Sequence, residues 1–450
     1  MQAGPAGNKP VDRSTARLGP IWLVPGVSML NAMSFAFAAY TTIGLLTFIA
    51  TGTPYVLNAN LGIPLDDQGR YTGDLQLLNE IVLLLVFAPA GILADRIGRR
   101  GVYAVGLFAM GLAYLLYPLA HSIFELSIYR AIYAVGIGLA TGMLGTIVAD
   151  YPQDISRGKM VAMVGILNGL GVVTVTFTIA RLPGILADAG YPPLDAGRYA
   201  HWVAAGFCVL SGIVVARGLQ KGAPVQREEQ PPLKETMMAG IVVGRNPRIA
   251  LAYACAFIAR SDLVILGTFT TLWGATAGIE AGLDPARAAA RGAQIFGTAS
   301  LAALLWLPVI GSIVDRMNRV SGVALCMSIA VVGYLCTLFI GDPLDRASLL
   351  LFALLGIGQI SAFLGATVLI SHEAPAATRG AVVGMFNVFG ALGIIVSVGV
   401  GGRLFDAYFP AAPFIFIGLI TILVVIMAVI VRIKSPGSMP VPRGSVSVAD

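Results

Sequence analysis

Charged side chains are sparse in this sequence: 12% of the 450 residues are Asp, Glu, Lys or Arg, against about 25% in an ordinary soluble domain. With 57% hydrophobic residues and a mean hydropathy of +0.83, a soluble globular fold is excluded and an integral membrane protein is implied. At about 20 apolar residues per helical crossing, the length admits a dozen spans and no sizeable soluble domain.

Cysteine and histidine are also few. Cys208, Cys255, Cys326 and Cys336 all lie inside apolar runs, which argues against a disulfide framework. His121, His201 and His372 share no spacing with them, so no metal site is expected. No Gly-x-x-x-x-Gly-Lys-Ser/Thr loop occurs, so the chain has no phosphate cradle and is not a self-contained ATP-driven pump. Nor does a nucleophile-base constellation appear, so neither enzyme activity nor a cofactor is expected. The net charge of +6 follows loops of alternate sidedness rather than one stripe, and nucleic acid is not an expected partner.

What the sequence has in abundance is apolar runs of membrane length. In the first half they fall at 26 to 51, 75 to 95, 101 to 120, 122 to 149, 160 to 180 and 200 to 217. In the second half they fall at 248 to 274, 293 to 314, 321 to 341, 347 to 371, 380 to 402 and 411 to 433. The expectation is an all-α membrane protein of 12 helices in two six-helix bundles, residues 21–217 and 248–433, with a segment 1–20, a linker 218–247 and a tail 434–450. With both termini inside, 20 of the 29 Lys and Arg lie in cytoplasmic segments, 7 on the other side and 2 within spans, as the positive-inside rule requires. The basic Pro/Gly-rich N-terminus lacks a small-residue cleavage site and is expected to remain on the protein. The linker around Pro231 and Pro232 is polar, and the outward stretch from Arg181 to Arg198 is long enough for a short interfacial helix.

The halves repeat. Gly91-Ile-Leu-Ala-Asp95-Arg96-Ile-Gly98-Arg99-Arg100 returns, weakened, as Gly311-Ser-Ile-Val-Asp315-Arg316-Met-Asn318-Arg319. Met163-Val-Gly165-Ile-Leu-Asn168-Gly-Leu-Gly171 returns as Val382-Val-Gly384-Met-Phe-Asn387-Val-Phe-Gly390. Two landmarks at nearly one offset make a duplication of six helices the simplest account.

A charged Gly-x-x-x-Asp-Arg turn between membrane-length helices, once in each half, resembles the signature loop of the major facilitator superfamily of secondary transporters. That resemblance implies two bundles rocking about a solute site near the midplane. It also implies a state-dependent latch at the inner face built from Gly91, Asp95, Arg96, Gly98, Arg99 and Arg100. Asp150, at the inner end of the fourth span, is a partner for Arg99, while Asp315 and Arg316 form the degraded second copy. The fifth span lacks the Gly-Pro-x-x-Gly-Gly pattern of drug/proton antiporters in the superfamily.

Ionisable residues within the spans are the candidates for chemistry, because each costs about 2.5–3.5 kcal/mol to insert and so demands a partner or a watery cavity. Arg260 lies about 16 Å into the seventh span, and Asp262, two residues on, points to the opposite side of the helix. The resemblance makes that span cavity-lining, so either is a candidate for substrate or proton contact; the alternative is an ion pair to a neighbouring helix. Glu80 and Arg130 each fall about 9 Å inside the outward end of spans two and four at the helical rise, close enough for a lateral pair or a proton-handling site. Arg130 also resembles the basic fourth-span residue of proton-coupled members. Asn31, Tyr40, Thr41, Tyr133, Thr141, Gln359 and Ser361 are weaker cavity candidates, since such residues more often join membrane helices by hydrogen bonds.

The expected function is gradient-driven, proton-coupled transport of a small organic solute, with the two intramembrane cations favouring an organic anion. Two alternatives stand beside it: drug efflux by proton antiport, and a non-transporting sensor or assembly factor on the same scaffold. Expected partners are the solute, protons and the bilayer, with the chain acting as a monomer in a bacterial inner membrane.

Overall fold

The computed structural model describes residues 16–222, 233–375 and 378–436. Residues 1–15, the linker stretch 223–232 and the tail from 437 lie outside that set.

A two-residue hairpin opens the described chain, β1 (Arg17–Leu18) pairing antiparallel with β2 (Ile21–Trp22). The first half then runs α1 (Met29–Tyr55), α2 (Gln68–Ile97), α3 (Arg99–Leu116), α4 (Ile123–Asp150), α5 (Arg157–Phe177), α6 (Leu182–Asp188) and α7 (Pro193–Gly218). The second runs α8 (Leu233–Val243), α9 (Pro247–Glu280), α10 (Pro285–Asp315), α11 (Arg319–Leu335), α12 (Ser348–Glu373), α13 (Arg379–Ala407) and α14 (Ala412–Lys434). Among the described residues, eleven helical stretches are long and apolar enough to cross a membrane. The remaining expected span is α2, a continuous helix of 30 residues and so about 45 Å long. The short α6 falls between Arg181 and Arg198, where a short helix is expected.

Several helices outrun their apolar stretches. Helix α2 starts at Gln68, before the expected 75, and α10 starts at Pro285, before 293. Hydropathy marks only the part immersed in hydrocarbon. Outside it a formed helix keeps gaining one backbone hydrogen bond per residue until something stops it. Helix starts are set by local chemistry instead: Ser28 forms a capping box with Asn31 at α1, and the Ser122 hydroxyl accepts from the Glu125 amide at α4.

Two compact units divide the chain. One gathers Met1–Gln68, Leu75–Glu229 and Gly274–Gly297; the other gathers Gly69–Asp74, Gln230–Trp273 and Thr298–Asp450. In the first unit α3 packs on α4 and α7, and α1 packs on α5. In the second α11 packs on α12 and α14, the same third-to-fourth and third-to-sixth pairing.

The landmark repeat marks a helix crossing in each unit. A Cβ on Gly171 would overlap the Tyr40 carbonyl oxygen of α1, and one on Gly390 would lie 2.5 Å from Arg260 Cγ of α9. Small residues there let the first and fifth helices of each unit close up, as membrane packing favours.

Candidate functional site

The signature loop is a turn that only glycine makes comfortably. Gly98 ends α2 and starts α3 with φ 84° and ψ 149°, a region essentially closed to residues with a Cβ. Directly after it, the Arg99 guanidinium forms an ion pair with Asp150 at the end of α4, both side chains nearly buried. Arg100 is half-buried. The side chains of Gly91, Asp95 and Arg96 lie outside the described residues.

The second copy has lost this geometry. Asn318 has φ −56° and ψ 136°, and its side-chain oxygen accepts from the amides of Val320 and Ser321 to cap α11. Arg319 stays local, 3.7 Å from an exposed Asp315, and Arg316 is exposed. The acid at the end of the fourth helix of this half, Glu373, pairs with Arg248 of α9 at 3.2 Å.

Glu80 and Arg130 are both buried, and the structure joins them through Gln76. Arg130 Nη2 donates to Gln76 Oε1, and Gln76 Nε2 donates to Glu80 Oε1 at 3.0 Å. Asn79 Nδ2 donates to the same carboxylate oxygen at 3.3 Å. The guanidinium also lies 5.3 Å from the Tyr133 ring centroid, a cation-π distance, while the Tyr133 hydroxyl donates to the Leu46 carbonyl at 2.6 Å. Because α2 begins at Gln68, Glu80 lies about 18 Å along the helix from its start at the helical rise, the first stretch of which, up to Asp74, is polar. Gln76 carries a readable signal that hydropathy passes over: it stands four residues before Glu80, on the same helix face.

In α9 the Arg260 side chain is half-buried and its stem crosses Gly390. The Asp262 side chain lies outside the described residues. Two turns before Arg260, Tyr253 stacks on Phe389 of α13 with centroids 5.2 Å apart and planes at 11°, and its hydroxyl donates to the Gly240 carbonyl at 2.9 Å.

The weaker candidates are engaged in packing. Asn31 caps α1 and donates to the Gly218 carbonyl at 2.7 Å. Thr41 and Thr141 donate to carbonyls one turn back. Tyr40 is half-buried, with its carbonyl against Gly171. Ser361 accepts from the Trp306 indole at 3.1 Å, and Gln359 is buried.

One buried group entered the sequence reading only as a histidine outside any metal spacing. His201 of α7 is stacked on Tyr117, 6.0 Å between centroids, with Phe48 edge-on at 5.1 Å. Its Nδ1 bonds the Gly197 carbonyl oxygen at 2.9 Å while Nε2 has no hydrogen-bond partner. Nε2 faces Gly52, where an added Cβ would lie 2.5 Å away. These neighbours come from α1 and from the end of α3, so no local spacing announces them.

The family model described as Major Facilitator Superfamily matches residues 27–398 and 295–448. Magnetosome protein MamH of Paramagnetospirillum magneticum is 29% identical over 381 residues, covering 83% of this chain and 86% of that protein. Magnetosome protein MamZ of the same organism is 30% identical over 391 residues, and this chain spans 58% of its length. Among solved structures, nucleoside transporter NupG superposes with a TM-score of 0.67 at 14% identity, over 89% of this chain and 98% of that one. Identity that low shows a shared fold alone.

Proposed function

Because this chain belongs to the major facilitator superfamily of membrane transporters, we propose that it is a gradient-driven secondary carrier moving a small organic anion with protons by alternating access. The observation that carries this reading is the Glu80, Gln76 and Arg130 network, buried between α2 and α4. Ionisable groups at membrane depth are costly and are retained at solute and ion pathways. An acid held by amides can take up a proton, and its neutralisation frees the linked guanidinium, which stays charged, to turn to another partner.

In this reading Glu80 carries the proton and Asp262 is the second candidate, while Arg130 changes partners as Glu80 is neutralised. Arg260 supplies the cation for the solute. The bundles 21–217 and 248–433 move about the linker 218–247, with both termini cytoplasmic. Asp95, Arg96, Arg99 and Asp150 latch the inner face, and the Arg99 to Asp150 ion pair supports that assignment.

The test is solute-evoked proton flux into liposomes containing the full chain and a trapped pH dye. Organic anions are expected to evoke flux where cationic drugs do not, and Arg260→Gln is expected to abolish it. Glu80→Gln should stop uphill accumulation while counterflow persists. Uphill accumulation unchanged in both Glu80→Gln and Asp262→Asn would sink the coupling assignment. Flux evoked only by cationic drugs would favour antiport, and no flux with any solute would favour a non-transporting scaffold.

A further inference from the structure

The second unit contains a cleft of about 320 Å³ lined by Ile241, Gly244, Tyr253, Ala254, Met385 and Phe389, within the size range of small-molecule sites. None of these side chains is charged, so the cleft by itself would hold an apolar body and would not retain a small hydrophilic ion. A cation, Arg260, lies further along α9 than the lining residues Tyr253 and Ala254. Tyr253 and Arg260 are seven residues apart on α9, which places them on one helix face about 10 Å from each other. On α13 the residue after Phe389 is Gly390, whose missing side chain gives room to the Arg260 stem.

Comparison of the two halves makes Arg260 notable. In the first unit the equivalent crossing, Gly171 against Tyr40, is closed by a backbone carbonyl with no charge present. Packing at this point therefore does not require a guanidinium. Arg260 already has a partner in the structure, but a guanidinium has five N–H donors and can keep one partner while taking a carboxylate in bidentate fashion.

We propose that the solute is an amphipathic organic anion whose flat apolar body packs in the cleft beside Tyr253 and Phe389 and whose carboxylate meets Arg260. This rests on the organic-anion reading above and narrows it.

The experiment uses the purified full chain in detergent and three probes, 2-naphthoate, 2-naphthamide and acetate, with binding read by equilibrium dialysis and thermal stabilisation. Naphthoate is expected to bind at least tenfold more tightly than either of the others. Phe389→Ala and Met385→Ala should each weaken naphthoate at least tenfold, and Arg260→Gln should erase its advantage over naphthamide. Thermal melts of Phe389→Ala and Met385→Ala without ligand, expected to stay cooperative, verify that substitution in the cleft leaves a folded protein. Equal affinity for acetate and naphthoate, or an unchanged ratio in Phe389→Ala, would overturn the amphipathic proposal while anion-evoked proton flux left the carrier reading standing. An anion preference that survives Arg260→Gln would overturn the placing of the carboxylate at Arg260, again leaving the carrier reading to the flux measurement.

Discussion

If Arg130, Gln76 and Glu80 act as one energetic unit, removing the two charged ends together must cost less than the sum of removing each alone. Two hydrogen bonds in series join the guanidinium and carboxylate through Gln76, and at about 3 Å each the charges are taken to be roughly 6 Å apart. At an effective dielectric of about 20, unit charges at that distance interact by about 2–3 kcal/mol. Arg130→Leu also removes the contact with the Tyr133 ring, worth about 0.5–2 kcal/mol, and strands a buried acid. Its loss is expected at about 3–5 kcal/mol, the range for breaking buried ion pairs. Glu80→Gln in the Arg130→Leu background should cost little, so that a double-mutant cycle returns a coupling of about 2 kcal/mol. Unfolding free energies in mixed micelles titrated with a denaturing detergent supply the four corners. Losses that add to within about 0.5 kcal/mol, as independent sites do, would refute the network.

Exchange of residues between the two signature loops should be asymmetric. Gly98→Asn forces a side chain into φ 84° and ψ 149° and should cost about 1–3 kcal/mol, although the nearest atom to a Cβ there is 3.5 Å away; Asn318→Gly should cost under about 1 kcal/mol, since glycine is a tolerable cap. Thermal melts of both variants check this, and equal shifts would contradict it. Gly52→Ala should lose about 1–3 kcal/mol by overpacking because its Cβ meets the His201 ring, and adding His201→Ala should recover part of that loss. Melts of the two single variants and the double would show additive losses if the ring were not the obstacle.

How much could be read in advance depended on range. The spans were legible because burial in lipid is a property of local composition, and the Gly390 crossing was legible as a repeated landmark. The ends of α2 and α10 were not, since polar residues such as those from Gln68 to Asp74 remain helical without any apolar signature. Glu80 and Arg130 stood out as charges in apolar runs, but their connection depends on Gln76, a neutral residue that hydropathy treats as noise. His201 was legible only as an isolated histidine, because the rings around it come from α1 and the end of α3.

A primary amide has two unlike ends, an oxygen that accepts and a nitrogen that donates. With a guanidinium on one side and a carboxylate on the other, Gln76 has only one orientation that satisfies both neighbours. The residue is thus a polarity-fixed connector: turning it over would aim donor at donor and oxygen at oxygen. Were Glu80 to become neutral, one of the two constraints on that orientation would relax while the other stayed, so the side chain could report a change of charge by rotating about its own bonds. A signal of that kind needs no movement of the helix that carries it, and an apolar residue of equal volume at position 76 would leave the two charges with nothing to tell each other.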